Sequence, residues 1–293
     1  MKKLLLIINP CAGMRRANRH LTDIIEIFNR AHYDVTAYVT QSQGDAQVVA
    51  ASRAKDFDLV VCCGGDGTFN ETVSGLLTSG ADTTIGYIPA GSTNDFANSL
   101  GLPGNILNCA KAIAQGSPTA YDIGRFNGRF FSYVASFGVF TRTSYTTPQS
   151  IKNALGHTAY LLSGIQELSQ LRTEHVRLKL DGKVVEDEFL FGAICNSTSL
   201  GGIVNLDPRQ VDMRDGKFEV LLVRAPKDLA EVAECIQAVQ KQQYNCKMIT
   251  FQSAQHIEIY PRADMSWTLD GEQATGSDYI EVENLYHAIN LIS

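Results

Sequence analysis

The chain has 293 residues and a formal net charge of −6, with 44% hydrophobic and 19% charged residues. This composition is typical of a folded globular protein and excludes disordered and fibrous classes. The negative net charge argues against a protein that coats nucleic acid through bulk positive charge, so we expect no nucleic-acid partner. The length suits two domains or one large domain.

Neither a secretory signal nor a membrane span is predicted. The apolar run Leu4 to Ile8 is too short for a signal peptide, and Asn9-Pro10 follows it directly. No stretch approaches the roughly 20 apolar residues that cross a bilayer. The seven cysteines lie mostly in apolar contexts and include no Cys-x-x-Cys pair. We therefore expect free thiols and a cytoplasmic location.

The first part of the chain alternates strand-like and helix-like segments. Apolar runs predict strands over 3–8, 35–40, 59–63 and 85–88. Apolar residues at helical spacing, capping residues and helix-ending glycines predict helices over 21–30, 45–55 with Asp45 as N-cap, 70–77, 94–99 and 106–115. Uninterrupted apolar strands separated by helices predict a doubly wound parallel sheet, covered by helices on both faces.

The pattern changes near residue 121, where strands begin to follow one another. Asn127-Gly128 and Asp181-Gly182 are typical of two-residue hairpin turns. Further strands are predicted over 217–224, 248–260, 266–269 and 279–282, with helices over 151–171 and 227–243. The fold class is therefore α/β plus β, an N-terminal parallel-sheet domain followed by a β-sandwich-like domain. We expect domains at 1–122 and 123–283, with segment 284–293 joining the first.

Three loops follow predicted strands of the first domain. They are Asn9–Gly13, Gly64–Thr68 and Pro89–Asp95. Because parallel strands end at the same edge of a sheet, we expect the three loops to converge on one cleft. Ligands of such sheets bind beyond the carboxyl ends of the strands.

The second loop, Gly64-Gly65-Asp66-Gly67-Thr68, suggests a phosphate site. Its glycines let the backbone approach a ligand closely, and the helix that follows offers free N–H groups. Asp66 would repel a phosphate unless a cation such as Mg²⁺ lay between them. The alternative is a tight turn with Asp66 as a cap, and Thr93 or Asn94 would likewise be a plain cap for the helix after the third loop.

The chain contains neither the P-loop motif nor the dinucleotide fingerprint. Instead, two of its motifs resemble the diacylglycerol kinase catalytic domain of bacterial lipid kinases, a family related to sphingosine and ceramide kinases and similar in fold to NAD kinases. The motifs are Gly64-Gly65-Asp66-Gly67-Thr68-Phe69-Asn70-Glu71 and Pro89-Ala90-Gly91-Ser92-Thr93-Asn94-Asp95-Phe96-Ala97. Further matches to the family are Asn9-Pro10 with Gly13, Lys152, Gly156, Ala159-Tyr160-Leu161, Asp215-Gly216 and Asp270-Gly271-Glu272.

The resemblance implies a role for each matched position. It implies ATP binding by Asn9, Pro10, Cys11, Ala12, Gly13, Thr40, Gly65, Asp66, Gly67, Thr68, Phe69, Asn70, Glu71 and Ser92. It implies that Asp66 and Asp95 organise a catalytic Mg²⁺ and that Glu272 is the general base. It also implies a second, structural Mg²⁺ at Asp212, Asp215 and Lys217, where Lys217 would offer only its carbonyl oxygen. From the residues alone, Glu272 would be an ordinary solvated turn residue.

The function implied is ATP- and Mg²⁺-dependent phosphorylation of a diacylglycerol-like lipid, within phospholipid biosynthesis. Residues 1–122 would be the kinase catalytic domain and 123–283 the lipid-substrate domain. Such an enzyme would make transient peripheral contact with the membrane, and an exposed strand edge would allow a homodimer. Two alternatives stay open: a kinase of a soluble nucleotide acceptor such as NAD, and a nucleotide-binding regulator without catalysis.

Overall fold

The computed structural model describes residues 1–139, 172–202, 204–262 and 264–293. These residues form two compact units, one of residues 1–123 with 285–293 and one of residues 124–284. The predicted helix over 151–171 lies outside the described residues, as do Lys152, Gly156 and Ala159-Tyr160-Leu161.

The first unit is built around parallel strands. They are β1 (Lys2–Ile8), β2 (Tyr33–Val39), β3 (Leu59–Gly64) and β4 (Thr84–Pro89), with the end of β17 (Ile280–Ile292). Their order across the sheet is β17-β4-β3-β1-β2, and every pairing is parallel. The helices are α1 (Arg16–Arg19), α2 (Leu21–Arg30), α3 (Asp45–Arg53), α4 (Asp66–Ser79), α5 (Asp95–Ser99) and α6 (Ile106–Gln115). Short 3₁₀ turns cover Ala12–Arg15 and Ala54–Asp56.

Alternate residues of β1 pack into two different hydrophobic cores. Leu4, Leu6 and Ile8 contribute to a core with α2 and α6, while Leu5 and Ile7 contribute to one with α3 and α4. A strand that is apolar on both faces is thereby buried on both faces. The predicted doubly wound parallel-sheet domain is confirmed.

One predicted helix start and one predicted N-cap in this unit are wrong. The helix predicted over 70–77 begins at Asp66, because Gly67 lies in its first turn and does not break it. The predicted N-cap of the 45–55 helix, Asp45, is the first residue of α3, and Gly44 in a left-handed conformation precedes it. The carboxylate of Asp45 instead accepts the backbone N–H of Gln41 at 2.7 Å.

The second unit is mainly antiparallel. Two strands are shared with the first unit: the end of β5 (Thr119–Phe126) and the first part of β17 belong here. The other strands are β6 (Arg129–Phe131), β7 (Val134–Gly138), β8 (Glu174–Leu180), β9 (Lys183–Cys195), β10 (Ser199–Leu200), β11 (Val204–Asn205), β12 (Phe218–Arg224), β13 (Ile249–Ala254), β14 (His256–Tyr260), β15 (Trp267–Leu269) and β16 (Glu272–Ala274). One helix, α7 (Leu229–Gln240), is described among them. The strand predicted over 248–260 is interrupted at Gln255, whose N–H binds the carboxylate of Asp181.

Strand β9 carries the chain from one set of partners to another. Its first half pairs with β8, and its second half pairs with β7 on one side and β12 on the other. Trp267 is fully buried in the core beneath these strands, with its ring centroid 5.0 Å from Phe126 and 5.0 Å from Phe137. The predicted β-sandwich-like domain is confirmed, and both predicted hairpin turns have positive φ at each position.

Candidate functional site

The three glycine-containing loops of the first unit lie side by side. Ile8 pairs with Cys63, and Gly64 pairs with Pro89, so the neighbouring strands end at the same level. The ladder continues one residue further, where the Asn9 N–H donates to the carbonyl of Cys63 at 2.9 Å and the Ala90 N–H to that of Gly64 at 2.7 Å. The loops therefore start as neighbours, as parallel strands require.

Asn9 joins the first loop to the start of α4. Its side-chain amide donates to the hydroxyl of Thr68 at 2.9 Å, and its carbonyl oxygen accepts the N–H of Cys11 at 2.9 Å. Cys11 itself is exposed, while Thr68 is buried. The side chain of Asn9 thus stabilises the first loop by one hydrogen bond within it and attaches the loop to the first turn of α4 by another.

Two glycine positions allow the loops to approach each other. Gly13 has φ +48°, and a Cβ there would lie 2.0 Å from the carbonyl oxygen of Ala90. A Cβ on Gly91 would lie 2.7 Å from the Cα of Gly65. Side chains at either position would push the loops apart, so these glycines are required by the packing of one loop on another as well as by any ligand.

The carboxylate of Asp66 connects α4 to α5. It accepts the N–H of Asp95 at 3.0 Å and that of Phe96 at 3.3 Å. Both N–H groups lie in the first turn of α5, where the helix itself supplies no acceptor and a negative charge is favourable. Asp66 therefore caps α5 rather than its own helix. The side chain of Asp95 is only 1% exposed.

The aromatic residue of the second loop motif belongs to the core. Phe69 is fully buried, and its ring stacks on Phe96 at 4.8 Å and packs on Tyr87 at 4.5 Å. Because its side chain is enclosed, Phe69 has only its backbone to offer a ligand. The ring pair also holds α4 against α5.

Glu71 fixes the loop that follows β2. Its carboxylate accepts the N–H of Gly44 at 2.8 Å and that of Ala46 at 3.3 Å, at the start of α3. Thr40 lies at the beginning of the same loop and donates its N–H to the carbonyl of Ile8 at 2.9 Å. Thr40 therefore lies beside the start of the first loop. Glu71 holds the loop that contains Thr40 by its two hydrogen bonds to the start of α3.

The third loop exposes its hydroxyl groups. Ser92 and Thr93 are exposed, while Asn94 has φ +53° and exchanges two hydrogen bonds with Gly91, at 2.9 and 3.0 Å. Asn94 occupies the N-cap position of α5 but makes no side-chain bond to the helix. The hydroxyl groups of Ser92 and Thr93 therefore face solvent, and α5 is capped by Asp66.

In the second unit, Glu272 follows a tight turn that a buried acid holds in place. Asp270 and Gly271 have φ +49° and +80°, and Leu269 pairs with Glu272 across the turn. Asp270 is 6% exposed, and its carboxylate accepts three successive N–H groups, those of residues 132–134, at 2.5, 2.9 and 3.0 Å. Glu272 is half-buried beside it.

The residues of the implied second cation site lie in one exposed segment before β12. Asp212 accepts the N–H of Arg214 at 3.1 Å, and Asp215 accepts that of Lys217 at 2.9 Å. The carbonyl of Lys217 accepts the side-chain amide of Asn284 at 3.0 Å. The three predicted residues lie within six consecutive positions of this segment.

Sequence reasoning missed Glu219, which follows this segment inside β12. Burial raises the pKa of Glu219 to about 8, with the hydroxyl of Ser253 acting in the opposite direction and Asp215 adding to the rise. Its signal in the sequence is an acid inside an apolar strand.

A separate cluster of possible ligands lies on β14 and β17. Atoms of His256, Glu281 and Glu283 all lie within 4.8 Å of one another. Glu283 is also paired with Arg125, which supplies a positive charge there. The cluster joins two strands, so residue spacing does not show it.

Comparison with known proteins matches the two units to two families. Residues 3–126 match the diacylglycerol kinase catalytic domain, and residues 134–292 match the YegS C-terminal NAD kinase beta sandwich-like domain. The pair defines a kinase architecture with a parallel-sheet domain and a β-sandwich domain.

Relatives match along almost the entire chain. A diacylglycerol kinase of Bacillus subtilis (strain 168) is 33% identical over 100% of this chain and 96% of its own. One from Staphylococcus aureus (strain bovine RF122 / ET3-1) is 31% identical over 92% and 86%. The crystal structure of a diacylglycerol kinase from Bacillus anthracis str. Sterne superimposes with a TM-score of 0.76 at 26% identity, covering 99% of this chain and 96% of that one. The chain belongs to the diacylglycerol kinase family, which is a family of lipid kinases.

No helix in the described part of the chain is both long and apolar enough to cross a bilayer.

Proposed function

We propose that this protein is an ATP- and Mg²⁺-dependent kinase that transfers the γ-phosphoryl group of ATP to a hydroxyl of diacylglycerol or a similar lipid. One observation carries the proposal: three loops meet at one sheet edge, where α4 begins and the Asp66 carboxylate is held by two backbone N–H groups. The family membership and the names of the relatives support the reaction class.

The nucleotide is proposed to bind along this edge. The first loop, Thr40, the segment Gly65–Glu71 and Ser92 would hold it, with the first N–H groups of α4 facing a phosphate. The structure supports different contributions from these residues. The exposed hydroxyl of Ser92 is available to a ligand, whereas Phe69 contributes through its backbone and Glu71 through the loop that it holds.

The acids of the site fit Mg²⁺. A carboxylate in the first turn of a phosphate-binding helix repels the phosphate unless a cation separates them, and carboxylate oxygens are the ligands that Mg²⁺ prefers. Asp66 and Asp95 would hold this cation, partly through water. When bound, Mg²⁺ would neutralise charge on the phosphates during a transfer that depends mainly on positioning and electrostatics.

Glu272 is proposed as the general base that takes the proton from the lipid hydroxyl. The turn at Asp270-Gly271 fixes its backbone, because Asp270 is bound to three N–H groups. A base must come within about 3 Å of the attacking hydroxyl in the complex. Asp270 is therefore a positioning residue for Glu272.

The remaining parts of the proposal concern the second unit and the cell. Residues 1–122 with 284–293 would form the catalytic domain and residues 123–283 the lipid-substrate domain. Asp212, Asp215 and Lys217 would hold a structural Mg²⁺ through hard oxygen ligands. The enzyme would act in the cytoplasm, contact the membrane transiently from its surface, and form a homodimer through a strand edge.

The proposal is tested by incubating the full-length protein with γ-labelled ATP and separate acceptors: diacylglycerol, ceramide and NAD. We expect label on diacylglycerol, and a loss of about 10²–10⁴-fold in kcat for Glu272→Gln with ATP binding retained. A matched variant is Glu281→Gln, an acid on β17, which should keep full activity.

Three results would contradict the proposal in different ways. ATP binding without transfer to any lipid would refute the lipid kinase. Transfer to NAD alone would favour the soluble-acceptor alternative. Equal turnover of Glu272→Gln and the unaltered protein would remove Glu272 as the base.

A further inference from the structure

The turn before Glu272 depends on a segment whose own conformation needs support. Residues 132–134 lie between β6 and the start of β7, and all three of their N–H groups donate to the carboxylate of Asp270. In a regular strand successive N–H groups point to alternate sides, so this segment departs from strand geometry. Converging N–H groups of this kind form an anion-binding concavity. Its shape depends on the contacts made by the carbonyl side of the same segment.

Asn196 and Ser197, which directly follow β9, make those contacts. The side-chain amide of Asn196 donates to the carbonyl of Ser132 at 3.0 Å, and its backbone N–H donates to the carbonyl of Tyr133 at 2.9 Å. The hydroxyl of Ser197 lies 3.2 Å from the carbonyl of Tyr133 and 2.8 Å from that of Ser199. Residues 132–134 are therefore held by Asp270 on one side and by Asn196 and Ser197 on the other.

Burial makes these contacts hard to replace. Asn196 is 1% exposed, Ser197 is completely buried, and Ser132 is 1% exposed. Solvent cannot reach the carbonyl of Ser132 without an opening of the structure, and a buried carbonyl that loses its donor is costly. If the amide of Asn196 is removed, we expect residues 132–134 to shift in order to regain a partner.

Such a shift would be transmitted to Glu272. Asp270 is fixed to residues 132–134 by its carboxylate and by its own N–H, which donates to the carbonyl of Val134 at 2.9 Å. Glu272 follows two residues later and pairs with Leu269 across the turn. Asn196 thus reaches Glu272 only through other residues. A displacement of about 1 Å at a reacting group can cost roughly 100-fold in rate.

We propose that Asn196 and Ser197 are positioning residues for Glu272, acting through residues 132–134 and Asp270. The inference rests on the proposed function, because it takes Glu272 as the general base. Asn196 contributes more than Ser197, since it binds two successive carbonyls. Loss of these contacts lowers the rate of phosphoryl transfer and leaves ATP binding by the loops of the first unit intact.

The first measurement follows the support itself, in the full-length protein without nucleotide or lipid. Asn196→Asp keeps the size of the side chain but removes its N–H donor. It should accelerate hydrogen exchange at the N–H groups of residues 132–134 by roughly 10-fold or more, measured by nuclear magnetic resonance. If this variant fails to fold by circular dichroism, Asn196→Ala and Ser197→Ala replace it in both measurements.

Asn290→Asp is the matched control. The side-chain amide of Asn290 also makes a hydrogen bond, to Asp82 at 3.2 Å, but it lies beside the start of β4. The three loops follow the other ends of the parallel strands. The control should therefore leave both the hydrogen exchange of residues 132–134 and the kinase activity unchanged.

The second measurement is a double-mutant cycle on lipid phosphorylation. Asn196→Asp should lower kcat by roughly 10–100-fold, with an unchanged KM for ATP. In the Glu272→Gln protein the same substitution should change kcat by less than about twofold, because the group that it displaces is already inactive. A residue needed only for stability would lower kcat by the same factor with Glu272 and with Gln at this position.

The possible outcomes are distinct. Unchanged hydrogen exchange, unchanged kcat, or an equal loss of kcat in both backgrounds overturns the inference. A loss of activity in Glu272→Gln together with full activity in Asn196→Asp refutes the inference and leaves the proposed function standing. Full activity in Glu272→Gln, or no lipid phosphorylation by the unaltered protein, refutes the proposed function and the inference with it.

Discussion

Asp66 in the first unit and Asp270 in the second make the same kind of contact in different surroundings. Each is next to a glycine in the sequence, and each accepts backbone N–H groups from a segment far along the chain, 29–30 residues away for Asp66 and 136–138 for Asp270. Asp66 is only partly buried at the strand edge, while Asp270 is enclosed. An acid in a conspicuous motif can therefore be a functional group, a structural one, or both.

The largest effect on folding should come from Asp270→Ala. The change leaves three backbone N–H groups buried without their acceptor, which should lower the free energy of unfolding by about 3–5 kcal/mol. Urea denaturation followed by circular dichroism measures this loss. Gln273→Ala, at an exposed position of β16, is the control and should change little. A loss of less than about 1 kcal/mol for Asp270→Ala would show that the three contacts are not important for stability.

Gly13→Ala should come next. A Cβ at this position would strike the carbonyl of Ala90 and would also require a left-handed backbone, so we expect a loss of about 2–4 kcal/mol in unfolding free energy. Gly128→Ala is the matched control, because it has φ +85° with no atom within 4 Å and loses only the conformational part, about 1–2 kcal/mol. Equal losses in urea denaturation would contradict the packing of the first loop on the third.

A smaller loss is expected for Glu71→Ala. The change removes the acceptor for two N–H groups at the start of α3, so unfolding should become easier by about 1–2 kcal/mol. Glu26→Ala removes an exposed acid that pairs with Arg30 within α2, and its effect should be about 0–0.5 kcal/mol. Thermal or urea unfolding of the two variants measures both losses. A larger loss for Glu26→Ala than for Glu71→Ala would contradict the prediction.

The smallest effect concerns Cys11. This thiol is exposed, whereas burial raises the pKa of Cys63 to about 12 and raises that of Cys62 further, so Cys11 should be alkylated first in the native protein. If the first loop holds ATP, the nucleotide should slow the reaction of Cys11 a few-fold. Peptide mass mapping after iodoacetamide treatment measures the rates, and unfolded protein, in which all cysteines react, is the control. Unchanged reactivity at saturating ATP would place the nucleotide elsewhere.

Patterns of residues that are close together in the sequence are enough to predict most of the first unit. Strands apolar on both faces and helices of regular spacing predicted its sheet, and parallel pairing predicted that the three loops start side by side. Helix α6 begins and ends as expected, since Asn105 caps it through its side chain and Gly116 follows its end. These features depend on residues close together in the chain.

Contacts between distant residues explain what the sequence could not predict. The glycines of Gly65-Asp66-Gly67 suggested a loop, but α4 starts at Asp66, whose carboxylate accepts an N–H group at the start of α5. In the sequence, Asp270 is an ordinary turn residue. In the structure, its carboxylate accepts the backbone N–H groups of Ser132, Tyr133 and Val134, which are distant in the chain. The burial of Glu219 depends on its strand neighbours Cys195 and Ser253, which lie far from it in the sequence.

The stacked rings of Phe69 and Phe96 connect the helices that follow the second and third loops. Stacking joins the bodies of α4 and α5, and the Asp66 carboxylate joins their ends, so the two helices are attached at two separate points. Two attachments prevent one helix from pivoting on the other. A ligand that displaces either loop must then carry both together, and nuclear magnetic resonance signals from Gly67 and Ala97 should shift in concert during titration.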